Sequence, residues 1–120
     1  MSHFVLLHVN QPTVSAAFYS RLLQREPVES SPTFAMFALA DGLMLGLWQR
    51  TQVQPESCGA PGASELCFVA PDDAQVEAAH QRWQALGLEI LQPPTRMDFG
   101  YTLTAADPDG HRLRLFAPAR

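Results

Sequence analysis

The stretch YTLTAADPDGHRLRLF, residues 101–116, decides the fold. Tyr101 to Ala106 and Arg112 to Phe116 carry the period-two patterning of strands. Between them, Asp107-Pro108-Asp109-Gly110 has turn chemistry: Pro presets φ, Asx side chains bond nearby backbone, and Gly accepts a positive φ. Upstream, Leu88 to Leu91 reads as a further strand. Before it, Pro71-Asp72-Asp73 opens a helix that Gly87 ends, with Val76, Ala79, His80, Trp83 and Leu86 along one face. Leu66 to Val69 is the strand that precedes this helix. Trp83 is expected in the core.

The same order of elements runs through the first half of the chain. Phe4 to Val9 is a strand, Asn10-Gln11-Pro12 a turn and helix start, and Pro12 to about Gln24 a helix. Its buried face is expected to be Val14, Ala17, Phe18 and Leu22, with Ser15, Ser20 and Arg21 opposite. Short strands follow at about Val28, Phe34 to Leu39 and Leu43 to Trp48, the last two joined by an Asp41-Gly42 hairpin turn. The halves match at an offset of about 60 residues, Val9 aligning with Val69 and Leu43–Trp48 with His111–Phe116. Residues 51–63, rich in Gln, Pro, Gly and Ser, read as a surface linker between them.

One helix cannot cover both faces of a four-stranded sheet. The expected architecture is therefore α+β: two βαβββ modules, residues 1–50 and 64–120, forming a curved eight-stranded mixed sheet with helices outside and a ligand cup inside. At 120 residues the chain is expected to be a single domain.

Composition narrows the function classes. Hydrophobic residues make up 47% of the chain and charged residues 17%, without an apolar run near the roughly 20 residues of a bilayer span. Met1 to Val9 lacks a basic start and a small-residue cleavage site, so a cytoplasmic location is expected. Eight basic residues against twelve acidic ones give a net charge of −4; the arginines are scattered, which argues against nucleic acid as a partner. Cys58 and Cys67 lack CxxC spacing and are expected to be free thiols, Cys67 as a small hydrophobe in an apolar segment.

The residues resemble the vicinal-oxygen-chelate group, which contains glyoxalase I, extradiol dioxygenases, fosfomycin-resistance enzymes and bleomycin-binding proteins. The resemblance covers nearly the whole chain. It is carried by the Val9 turn, Ser15 to Tyr19 with Leu22-Leu23, Glu26-Pro27-Val28, Phe99-Gly100 and Asp107 to His111. Phe18-Tyr19, Arg25 to Val28, Leu47-Trp48 and Asp107 to His111 look most like the phenazine-antibiotic resistance proteins, which bind a planar aromatic compound without chemistry. The group's metalloenzymes hold a divalent ion with His and Glu from four strands. The matching positions here are Phe4, Met44, Ser64 and Arg114, which is no donor set for such an ion. His3 falls on the opposite strand face, and His8, though in register, stands without a second ligand. The resemblance therefore implies no metal, no cofactor and no catalytic residue.

Strand alternation then lines the expected cup with Phe4, Leu6 and His8; Phe34 and Met36; Met44, Gly46 and Trp48; Ser64, Leu66 and Phe68; Thr102 and Thr104; and Arg112, Arg114 and Phe116. Cys67, Val69, Tyr101 and Leu103 turn to the helix side. The ligand-binding residues are expected to be Phe34, Met36, Met44, Gly46, Trp48, Phe68, Thr104, Arg114 and His8. The aromatic rings offer stacking faces, the methionines adapt in shape, Gly46 leaves room for a ligand plane, and Arg114 can meet a carboxylate. The expected function is that of a metal-independent binding protein of this superfamily, a cytoplasmic homodimer sequestering a planar aromatic small molecule such as an antibiotic. The alternative is a lyase, isomerase or dioxygenase of the same superfamily with an atypical metal site or none.

Overall fold

The computed structural model describes residues 3–120. In chain order the elements are β1 (His3–Val9), α1 (Pro12–Leu23), β2 (Glu29–Ser30), β3 (Phe34–Ala40), β4 (Leu43–Gln49), β5 (Glu65–Val69), α2 (Asp73–Ala85), β6 (Glu89–Met97), β7 (Gly100–Ala106) and β8 (Arg112–Pro118), with one 3₁₀ turn at Arg50–Gln52. This is βαβββ twice, an α+β fold. Hydrogen bonding groups the strands into two four-stranded mixed sheets, β1-β4-β3-β2 and β5-β8-β7-β6. In each, the first strand lies parallel to the last while the other pairs are antiparallel. The chain divides into two compact units between Gly59 and Ala60, so the expected linker is shared between them. Among the described residues, no helix is long and apolar enough to cross a membrane.

In the first module the Asp41-Gly42 turn has φ of 50° and 82°, both positive. A two-residue hairpin loop of that geometry matches the twist of the strands it joins, and Asp and Gly tolerate it. Val5, Leu7 and Val9 of β1 share a face with Ala35, Phe37, Leu45 and Leu47, and the last five of these are fully buried. α1 packs on that face, but not through the expected stripe. Ser15, Ala16, Phe18, Tyr19 and Leu22 are buried, while Val14 remains 49% exposed. Tyr19 explains the rotation: its ring is completely buried, and Ser15, one turn earlier on the same side, is small enough to go under with it.

In the second module Asp72 caps α2, its Oδ1 accepting from Gln75 N at 2.9 Å. Val76 and Trp83 are buried against the sheet, as expected for that face. The register of β5 departs from expectation by one residue. Leu66 pairs with the fully buried Leu113 and Phe68 with Leu115, whereas Glu65, Cys67 and Val69 are exposed. Val9 therefore corresponds to Ala70, which is 4% exposed, and not to Val69, which is 66% exposed. A small alanine at the buried end of the strand hides the match, and a slip of one turns every side chain over.

β6 extends to Met97, past the expected end at Leu91, although it contains Pro93 and Pro94. It is one of the two edge strands of its sheet, and its pairing jumps from Gln92↔Thr104 to Thr95↔Thr102, so neither proline is needed in the ladder.

The turn that leads into β8 is built on Asp107, which is 5% exposed. Its Oδ1 accepts from the backbone N–H of Asp109 and of His111, each at 2.9 Å. Its own N–H donates to His111 O at 2.8 Å. Gly110 completes the turn at φ 97°. Asp107→Ala leaves two backbone donors without their acceptor; an expected loss of about 2 kcal/mol in urea unfolding checks this role.

Candidate ligand-binding site

The first module brings its expected residues onto one face. His8 pairs with Trp48, Leu6 with Gly46 and Phe4 with Met44 across β1 and β4; Phe34 pairs with Trp48 and Met36 with Gly46 across β3 and β4. All lie on the side opposite α1, where Phe4 and Leu6 remain about half exposed. His8 Nδ1 lies 2.7 Å from Ser57 Oγ, so the segment after β4 is tied to β1. The His8 ring stands edge-on to Trp48, centroids 6.3 Å apart at 87°. Gly46 does not hold open a gap for a ligand plane. A Cβ there would lie 2.6 Å from Leu6 Cδ2 and 3.1 Å from Phe34 Cζ, so the protein's own side chains occupy the space that glycine leaves.

The second module places Thr104 and Arg114 together, as register partners on the face opposite α2. It removes Phe68, which lies on the α2 side beside Leu115. The same one-residue slip moves Cys67 and Val69 onto the Arg114 face and Leu66 off it. Tyr101 keeps its expected side, its hydroxyl donating to Glu77 of α2 while Arg96 stacks on its ring. The phenol is correspondingly harder to ionise than usual, first because of that bond to a carboxylate.

Arg114 is not free for a ligand carboxylate. Its Nε donates to Glu65 Oε1 at 2.8 Å and its Nη2 to Glu65 Oε2 at 3.1 Å, a forked pair. Nη1 donates to Thr102 Oγ1 at 3.0 Å and to Gln92 Oε1 at 3.4 Å. Arg112 lies 3.8 Å from the same carboxylate. Thr102 and Thr104 are fully buried beneath this cluster. The Phe99 ring, 44% exposed, stands edge-on to Phe116 at 5.5 Å, with the Arg114 guanidinium 5.8 Å from its centre. Glu65 titrates below the ordinary carboxylate range, first through its hydrogen bond to Arg114 and against the cost of burial. Arg114 is held protonated by the same bond.

The corrected register also changes the comparison with metal-binding members of the group. The position matching Phe4 is Glu65, not Ser64. A carboxylate therefore stands where a ligand is wanted, but a guanidinium is clamped on both its oxygens. Phe4 and Met44 supply no oxygen or nitrogen, and among the described residues no three His, Cys, Asp or Glu side chains are placed to share an ion. This donor set does not fit a divalent metal.

A cleft of 540 Å³ beside the start of α2 is lined by Asp72, Asp73, Arg96 and Arg120. Its charged groups are already engaged, Arg96 with Asp73 and Arg120 with Pro71 O.

Sequence reasoning missed Gln92 and gave Phe99 no ligand role. Phe99 was recognisable only as part of a motif. Gln92 carries no sequence signal, because the bulge that aims it at Arg114 arises from pairing and not from local pattern.

The fold agrees with what comparison to known proteins shows. The family model of the Glyoxalase/Bleomycin resistance protein/Dioxygenase superfamily matches residues 1–115, and the chain belongs to that superfamily. It is 25% identical over 113 residues to the phenazine antibiotic resistance protein EhpR of Enterobacter agglomerans, covering 92% of this chain and 86% of that one. The solution structure of protein ATC0852 from Agrobacterium tumefaciens is 50% identical, covers all of both chains and superimposes with a TM-score of 0.89. A glyoxalase-related enzyme from Fulvimarina pelagi shares the fold at 23% identity and a TM-score of 0.85, over 98% of this chain and 87% of that one.

A depressed carboxylate pKa contributes stability at neutral pH that is lost as pH falls through the folded-state value. Urea midpoints measured from neutral pH down through the carboxylate range are therefore expected to fall more steeply in the wild type than in Glu65→Gln, which has already lost the pair. Equal slopes would show that the pair adds nothing in solution.

Proposed function

We propose that this protein binds a planar aromatic small molecule and holds it without transforming it, as a sequestering protein for a compound such as an antibiotic. The observation that carries the reading is the pairing of Glu65 with Arg114: the one carboxylate at a ligand-matching position is spent on a guanidinium. The remaining groups stack and adapt; they do not activate a substrate. Trp48, Phe34, Met36, Met44 and His8 of the first module, with Thr104 and Arg114 of the second, are the residues assigned to binding. Arg114 acts there through its face and its hold on Phe99, not as an anion anchor. Phe68 is withdrawn, and Gly46 contributes by admitting Phe34 and Leu6. The likeness to a phenazine antibiotic resistance protein supports the ligand class. A cytoplasmic homodimer, with both modules serving one domain, is part of the proposal.

Titration with phenazine-1-carboxylate is expected to quench Trp48 fluorescence saturably. Trp83 is 5% exposed in the core and supplies a constant background. Trp48→Phe is expected to remove the quenching and Trp48→Ala to weaken binding by about tenfold in calorimetry, in line with loss of one aromatic stack. Absence of quenching and of heat across a panel of planar aromatics would overturn the proposal.

A further inference from the structure

We infer that the second module selects its ligand through the side-chain amide of Gln92, whose Nε2–H rests on the Met97 sulfur and would donate instead to an acceptor atom in the plane of the ligand, and that the ligand is accordingly a planar heteroaromatic with an accessible ring nitrogen. This rests on the reading that the protein binds planar aromatics, and adds which of them it prefers.

The orientation of the amide follows from its partners. Gln92 Oε1 receives Thr104 Oγ1 at 3.3 Å and Arg114 Nη1 at 3.4 Å. A guanidinium has donors only, so a flipped amide would set NH2 against NH2. Arg114 is itself fixed by the fork to Glu65 and by the buried Thr102 hydroxyl. The oxygen therefore faces inward and Nε2 faces the other way.

What Nε2 meets is Met97 Sδ, at 3.5 Å. A thioether is a weak acceptor, and Met97 is 43% exposed on the edge strand, with a side chain flexible enough to move aside. The other donors of the cluster are matched to oxygen: Arg114 to Glu65, Thr102 and Gln92, and Thr102 to Leu115 O at 3.3 Å. The Gln92 amide thus holds an oriented donor on a poor partner, next to the guanidinium on which the exposed Phe99 ring rests. A flat ligand on Phe99 that presents a ring nitrogen exchanges sulfur for a proper acceptor. One that presents C–H at the same place does not, and leaves the donor as it was.

Two probes of equal shape separate these cases: phenazine-1-carboxylate and anthracene-1-carboxylate, which differ in ring N against ring C–H. By calorimetry the wild type is expected to prefer the phenazine acid by about tenfold, the worth of one well-placed hydrogen bond. Gln92→Glu keeps an oxygen toward Arg114 and Thr104 but puts an acceptor in place of the donor, and is expected to abolish or reverse the preference. The ratio is the readout, since the added charge acts alike on the two ligand carboxylates while the new oxygen opposes only the ring nitrogen. Met97→Leu removes the competing sulfur and keeps the donor, so its preference is expected to equal or exceed that of the wild type; this second variant decides if Gln92→Glu does not fold. Equal binding of the two acids by the wild type, a preference that survives Gln92→Glu, or one lost in Met97→Leu overturns this inference and leaves aromatic binding standing. Binding of neither acid overturns both.

Discussion

The forked bond from Arg114 to Glu65 fixes what the second module can be. It ties β8 to β5 from the face opposite α2, in the register that pairs Cys67 with Arg114. With Glu65 on that face, alternation puts Leu66, Phe68 and Ala70 under the helix and leaves Cys67 and Val69 on the other side. The same bond presents Nη1 to Thr102 and Gln92, so two buried threonine hydroxyls and a glutamine amide are organised around one cation. Charge-assisted hydrogen bonds of this kind contribute about 1.5–3 kcal/mol each where they are shielded from water. Here the two side chains are 18% and 28% exposed, so the lower end applies.

The chemistry of the face follows from that neutralisation. A carboxylate that could help to hold a divalent ion holds a guanidinium, and a guanidinium that could hold an anion is already occupied. What remains is aromatic surface on Phe99 and an oriented amide. The first module offers the apolar counterpart: Phe34, Met36, Met44 and Trp48 on one face, with His8 tied to Ser57. Both faces suit a ligand recognised by shape, stacking and a few hydrogen bonds more than by charge. That agrees with membership of a superfamily whose fold serves enzymes and resistance proteins alike, where function lies in the side chains of the site and not in the architecture.

The fold was legible because its signals are local. Asp41-Gly42 and Asp107 to Gly110 are turns whose residue types state their geometry, and the strand–helix–strand order repeats around them. The faces of β1, β3 and β4 were legible too, since Val5, Leu7 and Val9 alternate cleanly against Phe4, Leu6 and His8. β5 was not. Leu66 to Val69 is apolar without a break, Cys67 and Val69 pass for core residues, and only Glu65 betrays the phase. Its meaning depends on Arg114, 49 residues away. The α1 face was misread for a related reason: Ser15 looks polar and Val14 apolar, yet Tyr19 decides which side goes in. Gln92 reaches the site between two register shifts, just before Pro93 and Pro94, a feature set by tertiary pairing and invisible to periodicity.

By pairing with Glu65, Arg114 puts its own cation at the place where a metal would otherwise be sought. Calorimetric titration of the metal-stripped wild-type protein with Ni²⁺, Zn²⁺ and Mn²⁺ tests this most directly. No saturable one-to-one binding is expected with any of the three. Stoichiometric binding that is lost in Glu65→Gln would contradict it, showing that the carboxylate leaves Arg114 for the metal.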